Sequence, residues 1–276
     1  MSPELFQLLT ATVRAWFWES SDAVRRLRRS SVCVMILNSS LETGFGVMAY
    51  IKTIVCLANS FKIGGSCIAG REVLGDGKYG GWIRPVSERP TAEVWDSEIR
   101  YANNATPKLL DIIEVPLLTA APHNHQTENH VIAKTPWTKV GELPWDELNR
   151  LHEEPTSLWI NSGHTSAGVF NCIGEAEANT LHDSLVLIKL KDFVVEVGSK
   201  AWGGRTTKAY RGNFNYHTFY SLSITDPVAI KAFATKDEGE YQLEDVYLCL
   251  SLTEPWEKDN NRCHKLVASV FSNPPL

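Results

Sequence analysis

The densest group of polar side chains in the sequence is the stretch His-Asn-His-Gln-Thr-Glu-Asn-His, which begins at His123. On a strand, His123 and His125 would point the same way, and Glu128 would complete the kind of donor set that holds a transition metal. The amide groups of Gln126 and Asn129 favour a hydrogen-bonding loop instead, either structural or involved in recognition. We predict the polar loop, with His125, Gln126 and Asn129 as ligand-binding residues. A metal-dependent or polar-site enzyme built on His123, His125 and Glu128 is the alternative.

A second candidate is the basic segment 189–211, which holds six lysines and arginines against two acidic residues in a chain of net charge −5. Basic groups follow a phosphate backbone while aromatic faces stack on bases, and β-barrel modules hold single strands in this way. The alternative is a solvated hairpin whose aromatic residues face the core. The ligand-binding residues predicted here are Trp202, Arg205, Lys208, Tyr210 and Arg211.

Arg84 is the third candidate, because it lies between Trp82 and Pro85 at the end of a predicted strand, beside a glycine-rich loop. A guanidinium in this place can pair with an internal carboxylate or hold a ligand phosphate through two hydrogen bonds. We predict that Arg84 binds the ligand.

Two other stretches resemble known functional motifs but lack the spacing or the following element that those motifs require. Gly75, Gly77 and Gly80 match the dinucleotide pattern G-x-G-x-x-G, but that pattern requires a following helix, and the predicted strand Trp82–Val86 follows instead. These glycines therefore predict a hairpin loop. The stretch 163–168 does not match a nucleophile elbow, and the six cysteines form no C-x-x-C pair. No catalytic residue is assigned, no cofactor is expected, and we favour a binding protein over an enzyme.

The elements that carry these residues are mainly short β-strands. Asp226-Pro227 predicts a helix with an aspartate N-cap and proline at its first position, running to about Thr235, and a second helix opens at Pro144. Short strands separated by few helices predict two small β-barrels that divide near residue 180, one over 49–180 and one over 181–276. The predicted strands are Tyr50–Leu57, Trp82–Val86, Leu109–Leu117, Leu181–Leu190, Phe193–Val197, Arg205–Arg211, Phe214–Ile224, Val246–Leu252 and Lys265–Phe271.

Composition narrows the class of protein. The 276 residues are 43% hydrophobic and 21% charged, which excludes a disordered tail, a coiled coil and a collagen-like fibre. No apolar run approaches the roughly 18 residues that span a bilayer. The cysteines have no regular spacing and no secretory signal precedes them, so we expect reduced thiols, a cytoplasmic location and no membrane partner.

Residues 1–47 differ from the rest of the chain. They hold Arg25, Arg26, Arg28 and Arg29 and then the short apolar run Val32–Leu37, an order that resembles a targeting signal with an apolar core shorter than usual. We expect this arm to be an appendage, with a membrane-surface or targeting arm as the alternative.

Five phrases in the expected order make the chain from about residue 50 to 276 similar to the bacterial dual OB-containing domain family. They are Lys52–Ser60, Gly81–Ser87, His125–His130, Ser223–Pro227, and Leu248–Pro255 followed by Lys265–Ala268. The resemblance implies two tandem OB-type barrels and brings no catalytic activity with it.

The predicted function is therefore that of a cytoplasmic binding module that recognises nucleic acid, single-stranded or terminal, on OB-type surfaces. The acidic net charge of −5 predicts a modest, salt-sensitive affinity. The alternatives are the polar-site enzyme and a protein-interaction scaffold whose aromatic residues are all in the core.

Overall fold

The structure is a computed structural model that describes residues 49–276, except residues 63, 203 and 204 and the side chains of residues 201, 202 and 205. The N-terminal arm, residues 1–47, lies outside the described residues, so its interpretation as an appendage stays a prediction. Within the described part of the chain, no helix is long and apolar enough to cross a membrane.

The first half of the described chain forms a six-stranded sheet. Its strands are β1 (Tyr50–Lys62), β2 (Gly65–Val73), β3 (Tyr79–Val86), β4 (Asp111–Ala120), β5 (Asn129–Ile132) and β6 (Thr138–Glu142). A 3-10 helix, Trp145–Arg150, follows. Its position confirms the predicted helix after Pro144.

The second half forms a seven-stranded sheet. Its strands are β7 (Gly163–Thr165), β8 (Gly168–Gly174), β9 (Leu185–Trp202), β10 (Arg205–Tyr216), β11 (Thr218–Ile224), β12 (Gly239–Leu252) and β13 (Arg262–Phe271). The helices between them are α1 (Glu175–Ala178), α2 (Pro227–Phe233) and a 3-10 turn, Glu257–Asp259. The protein is thus mainly β, in two sheets with a few short helices, as predicted.

Five strands of each sheet close into a ring. In the first ring the order of pairing is β1-β2-β3-β5-β4 and back to β1, and in the second it is β9-β10-β11-β13-β12 and back to β9. Counted along the chain, the third and fifth strands of each ring run parallel, that is β3 with β5 and β11 with β13. The other pairs in each ring are antiparallel. This Greek-key order is that of the five-stranded OB fold. We call the two rings the first barrel and the second barrel.

Strand β1 shows how the barrels are joined, because its residues are buried on both faces. Ile54 and Cys56 point into the core of the first barrel. Val55 and Leu57 point the other way, into a cluster that also contains Leu187 of the second barrel. A strand that is buried on both faces needs an almost continuous run of apolar residues. This explains why Ile54–Leu57 shows no alternation of apolar and polar residues.

The strand boundaries correct the prediction at one turn. Phe214–Ile224 was predicted to begin a new strand after a turn at Gly212-Asn213, but β10 runs through both residues to Tyr216. The chain reverses at His217, which has a left-handed φ of 58°. Gly212 serves packing instead, since a Cβ there would come within 2.5 Å of the Phe193 ring.

The predicted pair of strands Leu181–Leu190 and Phe193–Val197 is also one element, β9. Its pairing with β12 passes from Glu244↔Asp192 to Val246↔Leu190. The residue opposite this step, Asp245, has φ 49°. Leu190 and Phe193 both face the core of the second barrel although they are three residues apart, so the alternation of side chains shifts here while the register with β12 stays the same on both sides.

Two local predictions are confirmed. Residues 74–78 form the hairpin loop between β2 and β3, in which the Leu74 N–H donates to the Lys78 carbonyl at 2.8 Å, and Gly80 lies within β3. Asp226 is the N-cap of α2, and its Oδ1 accepts the Val228 N–H at 2.8 Å. Asp226 is 1% exposed, and its Oδ2 also accepts the Val270 N–H of β13 at 2.8 Å. The cap therefore also ties α2 to the barrel.

The two sheets divide between Glu142 and Gly163, since β7 and β8 belong to the seven-stranded sheet. The domain boundary near residue 180 stays a prediction.

Candidate functional site

Arg84 lies on β3 and is 3% exposed, at the contact between the two barrels. Its Nη2 lies 3.0 Å from Oε1 of Glu128 and donates to Oγ of Ser184 at 2.8 Å. Oγ of Ser251 lies 3.5 Å from the same nitrogen, and the Ser184 hydroxyl donates to the Glu128 carboxylate. The Arg84 guanidinium thus forms an ion pair with an internal carboxylate, which was the alternative to binding a ligand phosphate.

The predicted polar loop connects β4 and β5 and rests against the second barrel. His125 is fully buried, and its Nε2 lies 3.1 Å from the Thr253 carbonyl oxygen. Gln126 donates from Nε2 to the Leu252 carbonyl at 3.4 Å. Asn129, which is 3% exposed, donates to Oε1 of Gln126 at 3.3 Å. Their predicted ligand-binding role stays a prediction, while their observed contacts join the barrels.

The strand geometry assumed for the alternative metal site is wrong. His123 and Gln126 exchange backbone hydrogen bonds of 3.1 and 2.9 Å across a tight turn, so His123 is exposed while His125 is buried. The Glu128 carboxylate is taken by Arg84 and Ser184. Within residues 49–276 as described, no three His, Cys, Asp or Glu side chains are grouped to hold a metal ion.

The outer face of β2 and β3 is covered over most of its length. Glu153 bridges the two barrels there, because its Oε1 pairs with Arg71 at 3.0 Å and its Oε2 accepts the Trp82 indole N–H at 3.3 Å. The same Oε2 accepts the Leu187 N–H of β9 at 3.1 Å. Tyr79 donates to a carboxylate oxygen of Glu147 in the 3-10 helix at 3.4 Å. The second barrel and its connecting segment therefore occupy this face.

The predicted basic–aromatic residues fall on both faces of the β9–β10 hairpin. Lys208 turns toward α2, where Nζ donates to the carbonyls of Ala234 and Lys236 at 2.8 and 2.6 Å. Tyr210 packs against the core of the second barrel. The side chains of Trp202 and Arg205, at the tip of the hairpin, lie outside the described residues.

Arg211 is the one of these residues that the structure places on the outer face of the second barrel. Its Nη1 is 3.5 Å from Oε1 of Glu196, and the two side chains are 30% and 34% exposed. Asn213 shares this face and donates from Nδ2 to Oε2 of Glu196 at 2.9 Å. The structure therefore brings Arg84, His125, Gln126 and Asn129 together at one contact, and separates them from Arg211.

An open groove of about 400 Å³ lies on the same outer face. Phe219 of β11 is 44% exposed at the groove, directly opposite Asn215 of β10. The other residues that line it are Lys191, Asp192, Val194, Asn213, Phe214, Glu240 and Gln242. The groove thus combines an exposed aromatic ring with amide side chains.

The charges and hydrogen bonds of the groove are only partly satisfied. Gln242 donates from Nε2 to Oδ1 of Asp192 at 2.9 Å, whereas Lys191 forms no ion pair within the described part of the chain. Oδ1 of Asn213 is buried and accepts no hydrogen bond from the described residues. A buried acceptor without a donor is costly.

Sequence reasoning missed Phe219, Asn213 and Asn215. The sequence does contain a signal for this polar face, because Arg211, Asn213 and Asn215 are spaced by two along one strand and so point to the same side. Placing a turn at Gly212-Asn213 concealed this alternation.

The model of the dual OB-containing domain matches residues 52–270. The chain belongs to this family. No curated protein and no solved structure matches the sequence. A dual OB-containing domain is an OB-fold binding module, and OB folds bind oligonucleotides and oligosaccharides on the face of their second and third strands and with neighbouring loops. In this dual OB protein those strands are β2 and β3 in the first barrel and β10 and β11 in the second.

Proposed function

We propose that this protein binds a short stretch of single-stranded nucleic acid on the outer face of β10 and β11. The observation that carries the proposal is the groove beside Phe219, which is open on the second barrel, at the place where OB folds take their ligands. The corresponding face of the first barrel is covered by Glu153 and its neighbours.

The residues of the groove support stacking and base-edge contacts. A phenyl ring that is 44% exposed offers a face for a base, and each such stack is worth about 1–3 kcal/mol. The exposed amide side chain of Asn215, which lines the groove, suits the edge of a base. Lys191 supplies one cation for a phosphate.

The acidic side chains of the groove limit the electrostatic part of binding. Asp192 and Glu240 line it together with Lys191, so few phosphates are neutralised there. Each neutralised phosphate adds about 0.7 to the salt slope on a single strand. We therefore expect binding that is modest in affinity and shallow in its salt dependence.

The test is a fluorescence-anisotropy titration of labelled 12-nucleotide single-stranded DNA and RNA at low and moderate salt. Phe219→Ala should weaken binding about 5- to 150-fold and leave the salt slope unchanged, because stacking is not ionic. Lys191→Ala should lower the slope by about 0.7 with a smaller loss of affinity.

The matched control is Phe61→Ala, which removes a phenyl ring that is 66% exposed on the first barrel. It should leave binding unchanged. No binding of either oligonucleotide at low salt would refute the proposal. Equal losses from Phe219→Ala and Phe61→Ala would show that the groove is not the site.

A further inference from the structure

A second groove, of about 500 Å³, lies where the segment that joins the two barrels passes the start of β9. Neither the family nor the proposed function assigns a role to it, and the two grooves share no lining residue. Residues that line the second groove include Glu154, Pro155, Trp159, Leu181, Asp183 and Val186.

Trp159 is held at this groove in an unusual backbone conformation. Its φ is 58°, a left-handed value that bulky side chains rarely adopt. The Ser157 hydroxyl donates to the Trp159 carbonyl at 2.7 Å, and the indole N–H donates to Oδ1 of Asp183 at 2.8 Å. The indole is therefore anchored to a carboxylate of the groove wall.

Buried contacts hold the chain on the C-terminal side of Trp159. Lys265 is 1% exposed, and its Nζ donates to the Ile160 carbonyl and to Oδ1 of Asn161, both at 2.8 Å. Asn161 in turn donates to the Ser157 hydroxyl at 3.2 Å. Strained conformations persist only where the surroundings enforce them, and here the surroundings enforce the position of an aromatic ring.

The charged side chains that line the groove are all acidic. Glu153, Glu154 and Asp183 line it, and no lysine or arginine of the described residues does. Arg71 neutralises Glu153 at 3.0 Å. The Glu154 side chain is 85% exposed, and its one ion pair among the described residues is with His152 at 3.4 Å, while Asp183 forms no ion pair within the same part of the chain.

The floor of the groove is apolar. Val186 and Leu185 are 8% and 3% exposed, and Leu158 is fully buried. Lysine and arginine side chains match such a surface, because their stems lie along apolar groups while the charged end stays near water. A cation over an indole face gains further attraction.

We propose that this groove binds a basic segment of a partner protein and takes up one of its lysine or arginine side chains. The stem lies along Leu181 and Val186, and the charged end meets Asp183 and Glu154 beside the Trp159 ring. The proposal uses none of the residues of the open face, so it stands or fails independently of nucleic-acid binding.

The test is calorimetric titration of the full chain with acetylated hexalysine, with hexaglutamate as the control for charge. The variant Glu154→Gln/Asp183→Asn removes both free charges and keeps an amide oxygen for the Trp159 indole. It should weaken hexalysine binding about 5- to 30-fold at low salt, since the two exposed ion pairs that are lost are worth about 0.5–1 kcal/mol each. The matched control Asp96→Asn/Glu257→Gln neutralises two exposed acids elsewhere and should leave affinity unchanged.

A second measurement locates the peptide. The indole N–H resonance of Trp159, identified by its loss in Trp159→Phe, should shift as hexalysine is added. The proposal is overturned if the double variant binds hexalysine as well as the parent chain does, or if that resonance does not move. It is also overturned if spermine binds as tightly as the peptide, because the groove would then be a site for small polyamines.

Discussion

The two barrels have the same strand order but use the outer face of their second and third strands in opposite ways. In the first barrel this face carries Val73, Tyr79 and Trp82, which pack into the cluster between the barrels. In the second it carries polar residues such as Asn213 and Asn215 together with the exposed Phe219. The same topology therefore gives an internal contact in one copy and an accessible surface in the other.

Ion pairs on the two faces show what this difference means physically. Arg84 and Glu128, at the covered face, have side chains 3% and 5% exposed, whereas Arg211 and Glu196, on the open face, are 30% and 34% exposed. A buried charge depends on its partner, while an exposed charge is solvated by water. The covered face is thus part of the contact between the barrels, and the open face is accessible to solvent.

The connection between the third and fourth strands differs too. In the second barrel it contains α2, capped by Asp226. In the first it is residues 87–110, all of them described, and they contain no helix. There the Arg89 guanidinium lies 3.9 Å from the centre of the Trp95 ring and pairs with Glu93 at 3.1 Å. Only the second barrel therefore has a helix between these strands.

The largest expected effect comes from breaking the buried pair. Arg84→Met should lower the free energy of unfolding by about 3–5 kcal/mol, because it leaves the Glu128 carboxylate buried without its counter-ion. Urea unfolding measures this loss. The double variant Arg84→Met/Glu128→Leu should recover much of it, since neither charge is then buried. A cost below about 1 kcal/mol for Arg84→Met would mean that the covered face resembles the open one.

The second largest effect is expected from lowering the pH, which should destabilise the contact at the covered face. Burial lowers the pKa of His125, and its Nδ1 has no hydrogen-bond partner among the described residues. The unfolded chain takes up a proton near pH 6.5 while the folded chain stays neutral, so stability falls as the pH drops below about 6.5.

His125→Gln should therefore make the free energy of unfolding less dependent on pH between 7 and 5, as measured by urea unfolding across that range. The matched control is His123→Gln, which changes the exposed histidine of the same loop and should leave the dependence as it is. Identical pH profiles for the two variants would contradict this interpretation.

The smallest effect is expected on the open face. Arg211→Ala should change the free energy of unfolding by less than about 1 kcal/mol, because its partner Glu196 becomes hydrated when the pair is lost. Thermal or urea unfolding measures this value directly. A loss of the size expected for Arg84→Met would show that the second face is also structural.

Much of the fold could be predicted because its signals are local. The glycines of 75–80 formed a hairpin and Asp226-Pro227 started a helix, since turns and caps depend on a few neighbouring residues. The turn at His217 could not be found in this way. Nothing in the sequence around Gly212 indicates that the Phe193 ring lies against it, so the glycine was interpreted as a turn.

The candidate site shows the same difference between local sequence signals and contacts of distant residues. The sequence by itself determined the mainly β class, the resemblance to a dual OB domain and the presence of polar clusters, because these depend on residue type and short-range order. Only the packing of the two barrels shows which of these clusters are buried and which are exposed. Arg84 meets Ser184 and Ser251 across separations of 100 and 167 residues, and Phe219 is exposed because no distant segment of the described chain covers it. Burial is a property of packing between distant segments, so the local pattern cannot distinguish a residue that joins two barrels from one that stays on the surface.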